Sequence, residues 1–153
     1  MTEAPQRAGV IAVGVDGSAS SVAALRWAGQ QARATGAGLL AITSWRYPNV
    51  YGYVVPLADD WRPDQEAARI QADALAGAAD VLDGTVVESL VTEGQAAAVL
   101  VDASKQVDLL VVGSRGHGEL TSVVLGSVSE YCAVHSECPV VVVRAHHLGA
   151  RAT

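Results

Sequence analysis

The sequence contains no phenylalanine, one methionine, two cysteines and one lysine, and each shortage closes off a class of protein. Two cysteines cannot knit a disulfide scaffold. The single Lys105 and nine arginines are scattered without a basic run in a chain of net charge −6. Nucleic-acid affinity rests on clustered cations, so DNA and RNA are not expected as partners. The apolar runs, those at 109–112 and 140–143 among them, fall far short of the ~20 residues that cross a bilayer. The N-terminal MTEAPQRAGV has no basic region followed by an apolar one, so no secretion signal is expected. Cys132 and Cys138 are then expected as reduced thiols, in a cytoplasmic protein.

What is present fits one domain. Half of the 153 residues are apolar, mostly Ala, Val and Leu, which is enough for a real core. A tail over 1–8, a domain over 9–145 and a tail over 146–153 are expected. Val10-Ile11-Ala12-Val13-Gly14-Val15 reads as a buried strand stopped by Asp16-Gly17-Ser18. A helix follows from the N-cap Ser18 to Thr35, with Val22, Leu25, Ala28 and Ala32 on one face and Gly36 as its stop. Strands are predicted at 39–45, 85–91, 109–112 and 140–143. Helices are predicted at 63–82 (stripe Ile70, Ala74, Ala78, Val81), from Gly94 to Lys105, and at 127–136. Ser127-Val128-Ser129-Glu130 fits a capping box. Residues 46–62, with Tyr47, Tyr51, Tyr53 and Trp61, read as a loop that packs on the surface, covers a site or meets a partner. Alternating strands and helices imply an α/β fold, an open parallel sheet with helices on both faces.

The chemistry concentrates in Gly113-Ser114-Arg115-Gly116, followed by Gly126-Ser127. A buried strand ending in a glycine turn and feeding a helix start is a physical recipe for holding phosphate. Glycines admit an anion to backbone N–H groups, and the helix end adds unpaired donors and partial positive charge. Val13-Gly14-Val15-Asp16-Gly17 repeats the Val-Gly-x-x-Gly pattern at the first strand's end. Strand ends of this kind hold ligands in open α/β sheets. The chain has neither G-x-x-x-x-G-K-[ST] nor G-x-G-x-x-G after the first strand, so neither a P-loop nor a dinucleotide turn is indicated. Arg115 is the only cation in the loop. Two roles are open to Asp16, a turn residue or a contact to ribose, base or metal. His117 is either exposed or a proton shuttle. Cys132, His135 and Cys138 lack zinc spacing and fit helix packing and a turn; His146 and His147 read as solvated. No catalytic triad, carboxylate pair or metal motif identifies itself.

These motifs resemble those of the universal stress protein family over almost the whole chain. The family's G-x2-G-x9-G-[ST] is met by Gly113, Gly116, Gly126 and Ser127. IAVGVDGS resembles the family's opening, with Asp16 at an acidic ligand contact. Ile42 falls where the strand backbone meets the adenine edge in nucleotide-binding members. PVVVVR resembles the closing strand through which members dimerise. The resemblance implies a Rossmann-like, five-stranded parallel sheet of order 3-2-1-4-5 with ATP, and Mg²⁺ as its companion ion, over the switch between strands one and four. It also implies a homodimer through Val140, Val141, Val142 and Val143. Cyclic AMP is the alternative ligand on this scaffold. The expected function is adenine-nucleotide binding in a regulatory protein of the stress-response type, with weak turnover at most. A slow ATP hydrolase or phosphotransferase is the rival reading; with no lysine at the phosphates and no evident base, the chain favours binding over turnover. An interaction module that uses the loop only for docking is the third reading.

Overall fold

The computed structural model describes residues 8–50, 52–54, 60–115 and 125–145. The chain runs β1 (Val10–Gly14), α1 (Ala19–Thr35), β2 (Gly38–Trp45), β3 (Asn49–Val50), β4 (Tyr53–Val54), α2 (Pro63–Gly77), α3 (Ala79–Leu82), β5 (Val87–Glu93), α4 (Ala96–Ser104), β6 (Leu109–Gly113), α5 (Ser127–His135) and β7 (Val140–Val143). Five strands form one sheet in the order β5-β2-β1-β6-β7, every pair parallel. Counting only those strands in chain order, this is 3-2-1-4-5, as expected.

Strand alternation divides the core between the two faces of the sheet. Val13, Val15, Leu39, Ala41 and Val111 pack with Leu25 and Ala28 of α1 and Val81 and Leu82 of α3. Ala12, Ile42, Leu110 and Val112 pack with Leu100 of α4 and Cys132 of α5. Helices therefore cover both faces, which is why the central strands are apolar almost without interruption. The first helix begins and ends as its sequence predicts. Ser18 caps it by accepting from the Ser21 N–H at 3.3 Å, and Gly36 stops it at φ 75°.

Four local expectations are corrected. The helix predicted over 63–82 is two, broken after Gly77 at Ala78, where φ is −106° and ψ 12°. Glycine is the weakest helix former after proline, and the break falls beside it. The strand predicted over 85–91 lies two residues later, as β5. Gly84 sits at φ 80° and the Thr85 N–H donates to Leu82 at 3.0 Å, so the start of that segment is spent on the turn. Residues 46–62 are not all loop, since β3 and β4 form an antiparallel hairpin turning at Gly52, φ 82°. The capping box at Ser127 does not form, because Gly126 is the N-cap and no side chain caps α5. Ser129, expected inside that box, instead donates its Oγ to the Gly126 and Ser114 carbonyls at 3.0 and 3.1 Å.

The buried line of α2 also differs from the predicted stripe. Pro63, Ala67 and Gln71 are buried, while Ile70 and Ala74 are only half-buried. Gln71 is polar yet satisfied. Its Nε2 lies 3.1 Å from each of the Ala41 carbonyl, Thr43 Oγ1 and the Leu90 carbonyl, so one amide ties α2 to both β2 and β5.

Candidate functional site

The sheet order places the site. Connections from β1 and β6 leave in opposite directions, and the crevice beyond two such strand ends is where an open α/β sheet receives a ligand. Described residues of the two Val-Gly-x-x-Gly turns, Gly14, Val15 and Asp16 of one and Val112, Gly113 and Arg115 of the other, border one cavity there. Ser20 Oγ donates to the Arg115 carbonyl, and the Arg115 N–H approaches the same Oγ at 3.3 Å. This pins the first residues after β6 to the start of α1.

A cavity of about 90 Å³ opens at the junction. Gly14, Asp16, Ile42, Gly113, Arg115 and Gly126 all line it, so six residues singled out from the sequence converge. Ser127 lines an adjoining, wider cleft of about 440 Å³ instead. Gly116 and His117 lie outside the described residues, as do His146 and His147. The cavity floor is apolar, built from Val15, Ile42, Val99, Leu100 and Val112, with Ser21, Ser44 and Ser129 among its polar groups. The sequence patterns did not assign Ser44, Val99 or Leu100 to a site. Leu100 was legible only as a buried helix residue, because nothing local says which end of a strand its helix overlies.

The geometry gives each predicted residue a distinct local role. Asp16 is exposed, and its Oδ1 accepts from the Ser18 N–H at 2.8 Å and from the Ser18 hydroxyl, while its own N–H donates to Ser21 Oγ at 3.2 Å. The carboxylate therefore holds the turn and borders the cavity at once. Gly113 is demanded by packing. A Cβ there would lie 2.6 Å from Ser20 Oγ, 2.7 Å from the Ser20 carbonyl carbon and 2.8 Å from the Ser21 nitrogen. Gly126 donates its N–H to the Ser114 carbonyl at 2.6 Å and accepts from the Glu130 N–H at 3.0 Å, so it closes the loop onto β6 and opens α5. Ile42 is buried and its carbonyl accepts from the Val15 N–H at 2.8 Å. Alternation along a parallel strand turns the backbone of Ser44 to the same side, past the last residue of β1.

Cys132 is fully buried in the apolar cluster beneath the site, and burial pushes its thiol up to about 11. It is core, as expected. Cys138 packs half-buried against the same cluster. His135 is exposed, its ring 4.2 Å from that of Tyr131 at a tilt, which places it on the helix surface rather than in the core. Among the described residues no cluster of His, Cys, Asp and Glu is arranged to hold a metal ion, and no helix is long and apolar enough to cross a membrane.

Comparison with known proteins matches this arrangement to one family. The sequence pattern described as "Universal stress protein family" covers residues 9–144. A universal stress protein of Mycolicibacterium smegmatis is 35% identical over 135 residues, 88% of this chain and 45% of that protein. One from Mycobacterium tuberculosis is 35% identical over 141 residues, 92% of this chain and 46% of that one. The chain thus spans about half the length of the curated relatives it matches. A solved universal stress protein in complex with cAMP is 29% identical, with a TM-score of 0.63 over 90% of this chain and 97% of its own. The universal stress protein UspA of Lactobacillus plantarum, 24% identical with a TM-score of 0.66 over 90% of this chain and 99% of its own, shares the fold.

Proposed function

Because the chain belongs to the universal stress protein family, we propose that it binds an adenine nucleotide, ATP first, as a regulatory protein of the stress-response type with little or no turnover. The observation that carries this reading is the convergence of both glycine turns on one cavity with an apolar floor and a serine-rich rim. An apolar floor suits a purine, and the Ser44 backbone beyond β1, rather than that of Ile42 whose carbonyl already accepts from the Val15 N–H, suits its hydrogen-bonding edge. Ile42 then contributes its side chain below the ring. Asp16 is the one carboxylate among the described lining residues, which suits a ribose hydroxyl or the Mg²⁺ that accompanies ATP. The start of α5, with no side-chain cap, suits phosphate oxygens together with Arg115.

A site made of backbone donors binds the ground state about as well as the transition state, and uniform binding does not raise kcat. Binding, rather than hydrolysis, is the function assigned. Cyclic AMP is the second reading, favoured by the complex named for the 29% identical relative. The protein would act in the cytoplasm, with a small-molecule nucleotide rather than nucleic acid as its ligand.

Calorimetry tests the proposal. Gly116→Val should abolish ATP binding with the melting temperature preserved, and Asp16→Ala should weaken it by ~1–3 kcal/mol, the scale of a charged hydrogen bond. Wild-type affinity in both variants, with and without Mg²⁺, would remove the phosphate loop and the carboxylate from the site. Mass spectrometry of the ligand that co-purifies with the folded protein separates ATP from cyclic AMP.

A further inference from the structure

Beside the inner cavity lies the wider cleft, contiguous with it through Ser44, Ala96 and Val128, which line both. Its walls come from the end of β2, the turn before α4 and the first turns of α5. Gly126 and Ser129 face the inner cavity, whereas Ser127 faces the outer cleft. Arg46, the residue directly after β2, stands in that same cleft as the only charged side chain among its described lining residues. Arg115 lines the inner cavity alone. The two cations are thus divided between two compartments.

We infer that Arg46 sets the length of phosphate chain the protein accepts, pairing in the outer cleft with the terminal phosphates of a nucleoside triphosphate while Arg115 serves the phosphate nearest the ribose. The inference rests on the nucleotide reading above. It follows from where the residues of the phosphate motif stand. Gly113, Arg115 and Gly126 line the inner cavity, whereas Ser127, the serine that the motif supplies, opens onto the outer cleft that Arg46 lines. A phosphate chain that follows the motif from Arg115 to Ser127 therefore passes from one compartment into the other. In a molecule of net charge −6, a polyanion needs a local cation to offset that field. Arginine also suits the task chemically, since its planar fork can hold two phosphate oxygens at once. In a monophosphate or cyclic AMP the one phosphate falls to Arg115, so their affinity should not depend on Arg46.

The test is calorimetry of ATP, ADP, AMP and cyclic AMP against wild type, Arg46→Ala and Arg46→Lys. Arg46 is exposed, and melting temperatures check that the variants fold as wild type does. Arg46→Ala should weaken ATP about ten-fold or more, the scale of a charge-assisted hydrogen bond, and change AMP and cyclic AMP by less than about two-fold. Arg46→Lys should recover part of the ATP affinity, and the salt dependence of ATP binding should fall in Arg46→Ala. Unchanged ATP affinity, or an equal loss for ATP and AMP, overturns the role of Arg46 while leaving nucleotide binding intact. A wild-type protein that binds none of the four ligands overturns the nucleotide reading and this inference with it.

Discussion

Glycine at 113 illustrates how one residue serves two masters. Its place in a phosphate motif suggests backbone donors open to an anion. In the folded chain its missing side chain is what lets the Ser20–Ser21 backbone approach the end of β6. The neighbouring atoms are mostly backbone and cannot rotate away. Gly113→Ala should therefore cost stability itself, by roughly 2 kcal/mol or more, the range of a forced overpacking. Chemical denaturation measures this. If Gly113→Ala unfolds at the wild-type midpoint, α1 and β6 are not in tight contact there, and any loss of nucleotide affinity belongs to the ligand. Gly116→Val makes the opposite contrast, with binding lost and stability kept.

Among the elements, α2 shows where hydrophobic periodicity misleads. Its register is set less by the apolar stripe than by Gln71, whose amide joins two strands while Thr43 Oγ1 passes the chain on to the Val15 carbonyl at 2.8 Å. That carbonyl immediately precedes Asp16, so the network braces the first turn of the site from the opposite face of the sheet. Gln71→Ala should destabilise the protein by ~2 kcal/mol, since it leaves buried strand carbonyls short of a donor and opens a cavity. A midpoint shift worth less than ~0.5 kcal/mol would show that the carbonyls find other partners. On the far side of the sheet, α5 has no side-chain cap, and its first turn is the element best placed to respond to a bound anion.

For the molecule as a whole, the sheet order leaves β7 at an edge. The Leu110 N–H donates to Pro139 and the Ser114 N–H to Val143, so β6 pairs with the odd-numbered residues of β7. The amides of Val140 and Val142 point outwards, and the side chains of Val140, Val141 and Val142 are only half-buried. Among the described residues no strand pairs with the outer side of β7, and an edge of four valines invites pairing. The expected assembly is a homodimer in which two copies of β7 meet across a two-fold axis. Val142→Pro removes an outward donor without touching the β6 ladder, and should shift the protein towards monomer or aggregate. Light scattering at high micromolar concentration decides it, because a monomeric wild type would leave the edge without its proposed cover.

The local sequence determined what depends on nearest neighbours and on period. The α/β alternation, the Ser18 cap, the Gly36 stop and the apolar strands are written in residues close together along the chain, and so were the glycine turns. The strand order was legible only through resemblance to a family, since nothing in a strand's own residues names its neighbour. Tertiary structure alone decided the rest. Gln71 is buried because three acceptors surround it, an arrangement no hydropathy pattern encodes. Ser44 and Arg46 line the candidate site and its outer cleft because β2 outlasts β1 at its end, and Gly113 must be glycine because a helix 93 residues earlier in the chain, at Ser20, packs against it. These are long-range contacts, and their physical cause lies in which surfaces are brought together rather than in the residues that flank them.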